Sequence, residues 1–470
     1  MVTMAPDPAA RSAVSPLVEI EAQVQARAKD LTLDLGTGPD RAVLGQLVER
    51  AIADWGAEHT RGLRPFALSD PEMVADRVLR NLAGYGPLEP LLADDDVWEV
   101  MVNAPDSIFV KRHLGVSGYH DEVFHDDEHV VRTLTKILDE ATGSHRKLDP
   151  AEGLQDAQLD NGARLHIVHG DVGRDGHVLV NIRKFTGIAI RSLEELVERD
   201  MLDPAAAELL RAAVRARLSI VFAGAPGSGK TTMLSCCAAE LDPSLRVVIA
   251  EEVFEADLPL PNVASMQTRP ARAERAAVDL RRLVSGFLRM APDVAIVGEV
   301  RDREALPLLL TLSSGVKGYT TIHAGSARQA LTRLRFVCQL ADTSSELPMA
   351  ALNSLVSEAV DVVVHCARVR GRPRVTEIVM VEDLQTGPEG TAFTVTEIFS
   401  RQRWDAPLRW TGVLPTRCAR AFDEAGVDLR ALLDAGGGSH APPPATPARP
   451  ATLRPRGRPV RATPAREATA

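Results

Sequence analysis

The run Gly224-Ala225-Pro226-Gly227-Ser228-Gly229-Lys230-Thr231 has the spacing G-x-x-x-x-G-K-[ST] of a phosphate-binding loop. Its glycines let successive backbone N–H groups converge on phosphate oxygens with no Cβ in the way, and a helix opening near Gly229 would add the positive end of its dipole. Lys230 brings a point charge to the outer phosphates, and Thr231 offers a hydroxyl to Mg2+. Two acids follow apolar runs. Val294-Ala295-Ile296-Val297-Gly298 leads to Glu299, and Val247-Val248-Ile249-Ala250 leads to Glu251-Glu252. An acid at the carboxyl end of a parallel strand lies beside the phosphate loop, where Glu299 can hold Mg2+ through water together with Thr231. Glu251 in the same setting can orient or deprotonate an attacking water. His323 closes a further strand-like run, Tyr319–Ile322. The loop alone implies nucleotide binding; the two acids add hydrolysis.

The elements that must position these groups are legible in outline. Between 205 and about 382, short Val/Ile/Leu runs at Leu218–Ala223, Val247–Ala250, Val294–Val297 and Tyr319–Ile322 alternate with helical segments. Continuous apolar strands separated by helices predict a parallel sheet covered on both faces. Ahead of it, Leu44, Leu47, Val48, Ala51, Ile52 and Trp55 recur at helical spacing. A second helix is expected after Asp70-Pro71, and a third capped by Asp126 or Asp127 with Val130, Val131, Leu134, Ile137, Leu138 and Ala141 on one face. Strands at Val97–Asn103, Ile108–Lys111, Arg164–His169 and Val178–Lys184 complete an α+β module. The expected organisation is a disordered segment 1–40, an N-terminal α+β domain 41–185, a linker 186–204, an α/β domain 205–400, an extension 401–435, and a disordered Pro/Ala/Arg tail 436–470.

With 54 Lys+Arg against 64 Asp+Glu the net charge is −10. An anionic chain is a poor non-specific nucleic-acid coat, and with aromatics at 4% few platforms exist for stacking bases, so no stable nucleic acid is expected. Residues Ala441–Ala470 carry six arginines and one glutamate, which leaves the rest of the chain at −15. That tail can serve as an electrostatic tether to an anionic surface. No run of 18 apolar residues predicts a membrane span, and Met1–Pro16 lacks the pattern of a signal peptide. The five cysteines, Cys236, Cys237, Cys338, Cys366 and Cys418, form no CxxC pair, which fits a reducing compartment.

The residues together resemble the ATPase superfamily of type II and type IV secretion and type IV pilus machines, and most closely its tight-adherence (Flp) pilus branch. Four boxes stand in the family's order. Gly224–Thr232, including Thr232, resembles the Walker A; Glu251-Glu252-Val253-Phe254-Glu255 the acidic Asp box; Leu288–Asp293 with Val297–Arg301 the Walker B block; and Thr321-Ile322-His323-Ala324 the His box. In the N-terminal half, Gly86-Pro87-Leu88-Glu89-Pro90-Leu91-Leu92, Met101-Val102-Asn103 and Ile182-Arg183-Lys184-Phe185 match as well. The resemblance spans about 80–400. It implies a RecA-like P-loop ATPase domain with a smaller N-terminal α+β domain, binding ATP and Mg2+ between them. It implies Glu251 as catalytic carboxylate, Glu299 as Walker B acid, His323 as sensor of the γ-phosphate, and Arg183, Arg269 and Arg164 as phosphate-neutralising arginines. It further implies a homo-hexamer at the cytoplasmic face of the inner membrane, docked on inner-membrane platform proteins.

Three features depart from the family pattern: Glu252 in place of the usual Asp, Val316 in place of a histidine after Gly315, and a loop Gly315–Tyr319 one residue short. No tetracysteine insertion is present. Alternative readings are a conjugation-type DNA-transfer motor, a nucleotide-binding scaffold with little hydrolysis, and a small-molecule kinase. The last would require an acceptor pocket and lid.

Overall fold

The computed structural model describes residues 15–33, 38–113, 115–141, 147–159, 162–184, 190–256, 258–269, 271, 276–341, 347–387 and 390–435. Residues 1–14, the start of the expected linker at 186–189 and the expected tail 436–470 lie outside the described residues.

The chain begins with three helices, α1 (Pro16–Asp30), α2 (Gly38–Thr60) and α3 (Pro71–Ala83), followed by the short α4 (Glu89–Ala93). Within the span expected to be disordered, Pro16–Asp30 is helical and α2 opens at Gly38. Leu17, Ile20 and Val24 of α1 recur at helical spacing and are buried against Leu44, Val48 and Val78 of α2 and α3. Burying an aliphatic side chain stabilises by roughly 1.5–3 kcal/mol, enough to override an Ala- and Pro-rich composition. In α3, Asp70 accepts from the Met73 N–H and Pro71 fills the first helical position.

Six antiparallel strands follow: β1 (Val97–Ala104), β2 (Ser107–Arg112), β3 (Gly118–Tyr119), β4 (Leu154–Gln158), β5 (Arg164–Val168) and β6 (Leu179–Arg183), in the order β3-β2-β1-β6-β5-β4. Helix α5 (Asp127–Glu140), capped by Asp126, packs Val130, Leu134 and Ile137 onto Val100, Val180 and Ile182. Arg164 of β5 stands directly opposite Arg183 of β6, so both side chains leave the same face of the sheet.

The remaining chain builds one nine-stranded sheet. Its strands are β7 (Ile220–Gly224), β8 (Val247–Glu251), β9 (Val263–Gln267), β10 (Val294–Val300), β11 (Lys317–Ile322), β12 (Val362–Val369) and β13 (Arg372–Val381), then, beyond a small hairpin of β14 (Gln385–Gly387) and β15 (Gly390–Ala392), β16 (Val395–Ser400) and β17 (Arg409–Trp410). The order is β17-β16-β13-β12-β7-β11-β10-β8-β9, with β9, β8, β10, β11, β7 and β12 parallel. One face, carrying Ile220 and Phe222, packs on α6 (Leu193–Glu198), α7 (Pro204–Arg215) and α8 (Lys230–Ala239). The other, carrying Val221 and Ala223, packs on α9 (Leu280–Ser285), α10 (Ala305–Ser313), α11 (Ala327–Ala341) and α12 (Met349–Ala359). This is the RecA-like arrangement, beside a smaller α+β unit.

Residues 401–435 are not a separate extension. β17 adds to the sheet edge, and Trp410, Phe422 of α13 (Ala419–Glu424) and Leu433 of α14 (Leu429–Ala435) are buried in the same core as Phe222. Arg417 fastens this segment by donating to the carbonyls of Ser357 and Val360 and to Asp361, 2.9 Å away. Proline and glycine in 401–415 hide a segment that places Leu408 and Trp410 inward while Trp404 and Val413 stay exposed.

Candidate functional site

Parallel register brings the carboxyl ends of four strands together. Ala223 pairs with Ile322, and Ala250 pairs with Val297, so Gly224, Glu251, Gly298-Glu299 and His323 emerge along one edge. The loop after β7 turns into α8 through Gly229, whose φ of +89° is left-handed backbone that favours glycine. Lys230 is 7% exposed. Its ammonium donates to the Ala225 carbonyl at 3.1 Å and stands 3.3 Å from His323 Nδ1. Burial pushes its pKa below the usual lysine range; Glu299 opposes that shift, while Arg183 and Arg301 add to it. Arg368 of β12 steadies the loop from outside, donating to the Gly227 carbonyl at 2.9 Å. A Cβ built on Gly227 would lie 3.3 Å from the Trp98 ring, so strand β1 of the smaller sheet covers the loop.

The two strand-end acids differ in kind. Glu299 pairs with His323 Nε2 at 2.6 Å and with Arg301. Burial alone would raise its pKa, but the hydrogen bonds from His323 and Arg301 prevail and hold it at about 2. His323 also contacts the Gly224 carbonyl at 3.2 Å, and so links this acid to the phosphate loop. Glu251 is 2% exposed, and burial pushes it up to about 7, against the backbone N–H groups of Glu255 and Ala256 that donate to its Oε1 at 3.1 and 3.0 Å. Its Oε2 is buried without a hydrogen-bond partner. Glycine at 298 is what admits this side chain: a Cβ there would lie 2.9 Å from Glu251 Cγ.

Glu251, expected as the catalytic carboxylate, stands at the strand end in this geometry with one oxygen engaged by backbone. Its Oε1 is held by the turn that follows β8, while its Oε2 is left without a partner. The acid that turn delivers to the loop is Glu255, which accepts from Thr231 Oγ1 at 3.4 Å and pairs with Arg164 at 3.3 Å. Glu252, whose length departs from the family pattern, pairs with Arg301 at 2.8 Å and Arg164 at 3.6 Å. Arg183 neighbours Arg164 across the register and is close enough to shift Lys230. Arg269 is not brought to this cleft. It is exposed beyond the edge strand β9 and donates to the Ala276 carbonyl at 3.1 Å. Ala225, Pro226, Ser228 and Thr232 take their places in the loop and the first turn of α8 without further charged contacts.

Sequence reasoning passed over Glu255, Arg301, Arg368 and Trp98. A signal for the first two existed. Glu255 is the last acid of the Asp box, and Arg301 lies two residues after Glu299, hence on the same side of a strand. Arg368 and Trp98 had none. The cleft as built combines a phosphate loop, a buried lysine, the acids Glu255 and Glu299, and two arginines from a second sheet. That set can bind a nucleoside triphosphate, neutralise its outer phosphates and direct a water onto them.

A profile of the family described as "T2SSE: Type II/IV secretion system protein" matches residues 81–386, well over half of the chain. A Mycobacterium tuberculosis (strain H37Rv) protein provisionally named for conjugal transfer is 36% identical over 329 residues, covering 68% of this chain and 91% of its own. The type IV secretion system protein PtlH of Bordetella pertussis is 33% identical over 319 residues, covering 62% and 92%. Among solved structures, the VirB11 ATPase of the Brucella suis type IV secretion system, in complex with sulphate, is similar at 28% identity over 63% of this chain and 95% of that one, with a TM-score of 0.34.

Proposed function

The chain belongs to the type II/IV secretion system protein family, and on that premise we propose that it is an ATP-hydrolysing motor powering pilus assembly or protein secretion across the cell envelope. It works as a homo-hexamer at the cytoplasmic face of the inner membrane, on membrane platform proteins. Among the described residues no helix is long and apolar enough to cross a membrane.

The observation that carries the hydrolytic reading is the meeting of Lys230 and Thr231 with Glu255, with the Glu299–His323 pair, and with Arg164 of the other sheet. In the proposed mechanism Lys230 exchanges the Ala225 carbonyl for phosphate oxygens. Glu255 orients the attacking water and accepts its proton in line with the scissile bond. Magnesium, held by the Thr231 hydroxyl and, through water, by Glu255 or Glu299, would supply charge neutralisation at the outer phosphates; hard oxygen donors of this kind suit it. Arg164 gives up its carboxylate partners for phosphate oxygens, joined by Arg183, and so draws the smaller sheet onto the nucleotide. When the γ-phosphate leaves, those contacts go with it and the two units part, a hinge motion that a ring passes to its partners.

The test is a paired ATPase and nucleotide-binding assay on the full chain. Lys230→Ala abolishes turnover, and Glu255→Gln binds ATP but hydrolyses it very slowly. Normal turnover in either removes the assignment. A second reading, conjugal DNA transfer, is favoured by the name of the mycobacterial relative. Stimulation of the ATPase by DNA would support it; the net charge of −10 weighs against it.

A further inference from the structure

Outside the nucleotide cleft, the helical layer and the six-stranded sheet share a buried polar knot. Glu21 of α1 is 4% exposed, Asn81 of α3 5%, and His129 in the first turn of α5 1%. His125, just ahead of α5, contacts Glu21 Oε2 through its Nε2 at 2.7 Å. Asn81 Nδ2 donates to the same oxygen at 2.7 Å, and Arg132 donates to Glu21 Oε1 at 3.1 Å. Two buried atoms here have no hydrogen-bond partner: His129 Nε2 and Asn81 Oδ1. Each lies 3.2 Å from the point where a Cβ on Gly86 would stand, so the absent side chain of Gly86 leaves open the space that both face.

We propose that Glu21, His125 and His129 form a site for a divalent transition ion of the zinc class. One donor atom from each lies within 4.8 Å of the others. Tetrahedral zinc with ligands at about 2.0–2.1 Å sets donors about 3.3 Å apart, so small side-chain rotations close the set. Two imidazoles and a carboxylate select zinc-like ions over magnesium or calcium. The His125 and His129 rings lie 4.9 Å apart, centroid to centroid, at the start of α5. On binding, the His125 ring proton sits on Nδ1, which leaves Nε2, now facing Glu21, free to ligate. The ring proton of His129 moves to Nδ1, displacing the long 3.4 Å contact from the His125 N–H. Arg132 stays on the other carboxylate oxygen and fixes its orientation, at some cost to affinity. Asn81 Oδ1 is left to accept from a water in the fourth position. The ion would staple α1 and α3 to α5, tying the helical layer to the sheet that carries Arg164 and Arg183.

The experiment strips the full chain with chelator, then titrates it with Zn2+ by calorimetry and with Co2+ by visible absorption. One ion per chain and tetrahedral Co2+ bands are expected, with affinity falling roughly tenfold or more in His125→Gln and in His129→Gln. His125 is the partly exposed ligand, so its replacement tests the site even where His129→Gln fails to fold; unchanged ATP binding is the folding control. No stoichiometric uptake by the wild type, or an unchanged Co2+ spectrum in His125→Gln, overturns the proposal and leaves a bridging water as the occupant of the space beside Gly86.

Discussion

In the nine-stranded sheet functional groups arrive at the ends of strands; in the six-stranded sheet they arrive through cross-strand register. Gly224, Glu251, Glu299 and His323 share an edge because parallel strands end together. Arg164 and Arg183 share a face because β5 and β6 pair antiparallel at that point. The second arrangement costs stability. Like charges directly opposite on a sheet repel by something like 0.2–1 kcal/mol, and here Glu252 and Glu255 of the other sheet offset part of it. One sheet thus carries groups that follow one another at strand ends, while the other carries a cationic pair whose Arg164 finds its anionic partners, Glu252 and Glu255, on the first.

Substitutions in the two sheets should separate accordingly. The largest effect is expected at Lys230→Ala, with no measurable turnover above background in a phosphate-release assay. Glu255→Gln should lower kcat by about 10²–10⁴ with ATP affinity kept. Arg164→Ala, which removes charge-assisted contacts each worth about 1.5–3 kcal/mol, should lower turnover about 10–100-fold while the nine-stranded sheet keeps its stability in denaturant unfolding. Equal losses from Arg164→Ala and Lys230→Ala would dissolve the distinction between the sheets.

Glu251→Gln should change turnover far less than Glu255→Gln, and its effect should lie in pH-dependent stability. The Glu251 carboxyl is raised from 4.5 to about 7 by burial, so the folded state binds the proton more tightly than the unfolded chain. Stability on this account falls as pH rises from about 4.5 to 7, by roughly 3 kcal/mol in all, and the glutamine variant should lose that dependence in thermal melts. Glu299 runs the opposite way: held at about 2, its contribution is full above about 4.5 and is lost as pH falls toward 2. The smallest effect is expected at Arg269→Ala, which should leave the ATP affinity of dilute single subunits within about twofold.

The phosphate loop was legible because its chemistry is packed into eight consecutive residues. The parallel sheet was legible because strands buried on both faces must be apolar without interruption. Helix α1 was not, since a mixed composition masked the few positions that matter, Leu17, Ile20 and Val24. The contact between Glu255 and Thr231 was not either. Glu251 and Glu255 follow the same strand, and which carboxylate turns inward depends on Gly298 of the neighbouring strand leaving room for one of them.

From sequence alone came the nucleotide loop, the strand-borne acids at Glu251 and Glu299, and a two-part α/β architecture, all consequences of residues close together in the chain. Only the tertiary structure decided that Glu255 faces Thr231, that Arg164 reaches across from the other sheet, that Arg269 stays away, and that residues 401–435 belong to the main core. The physical reason is separation along the chain. A contact such as Arg164–Glu255 spans about ninety residues, and neither partner's neighbours carry any trace of the other until the sheets are placed side by side.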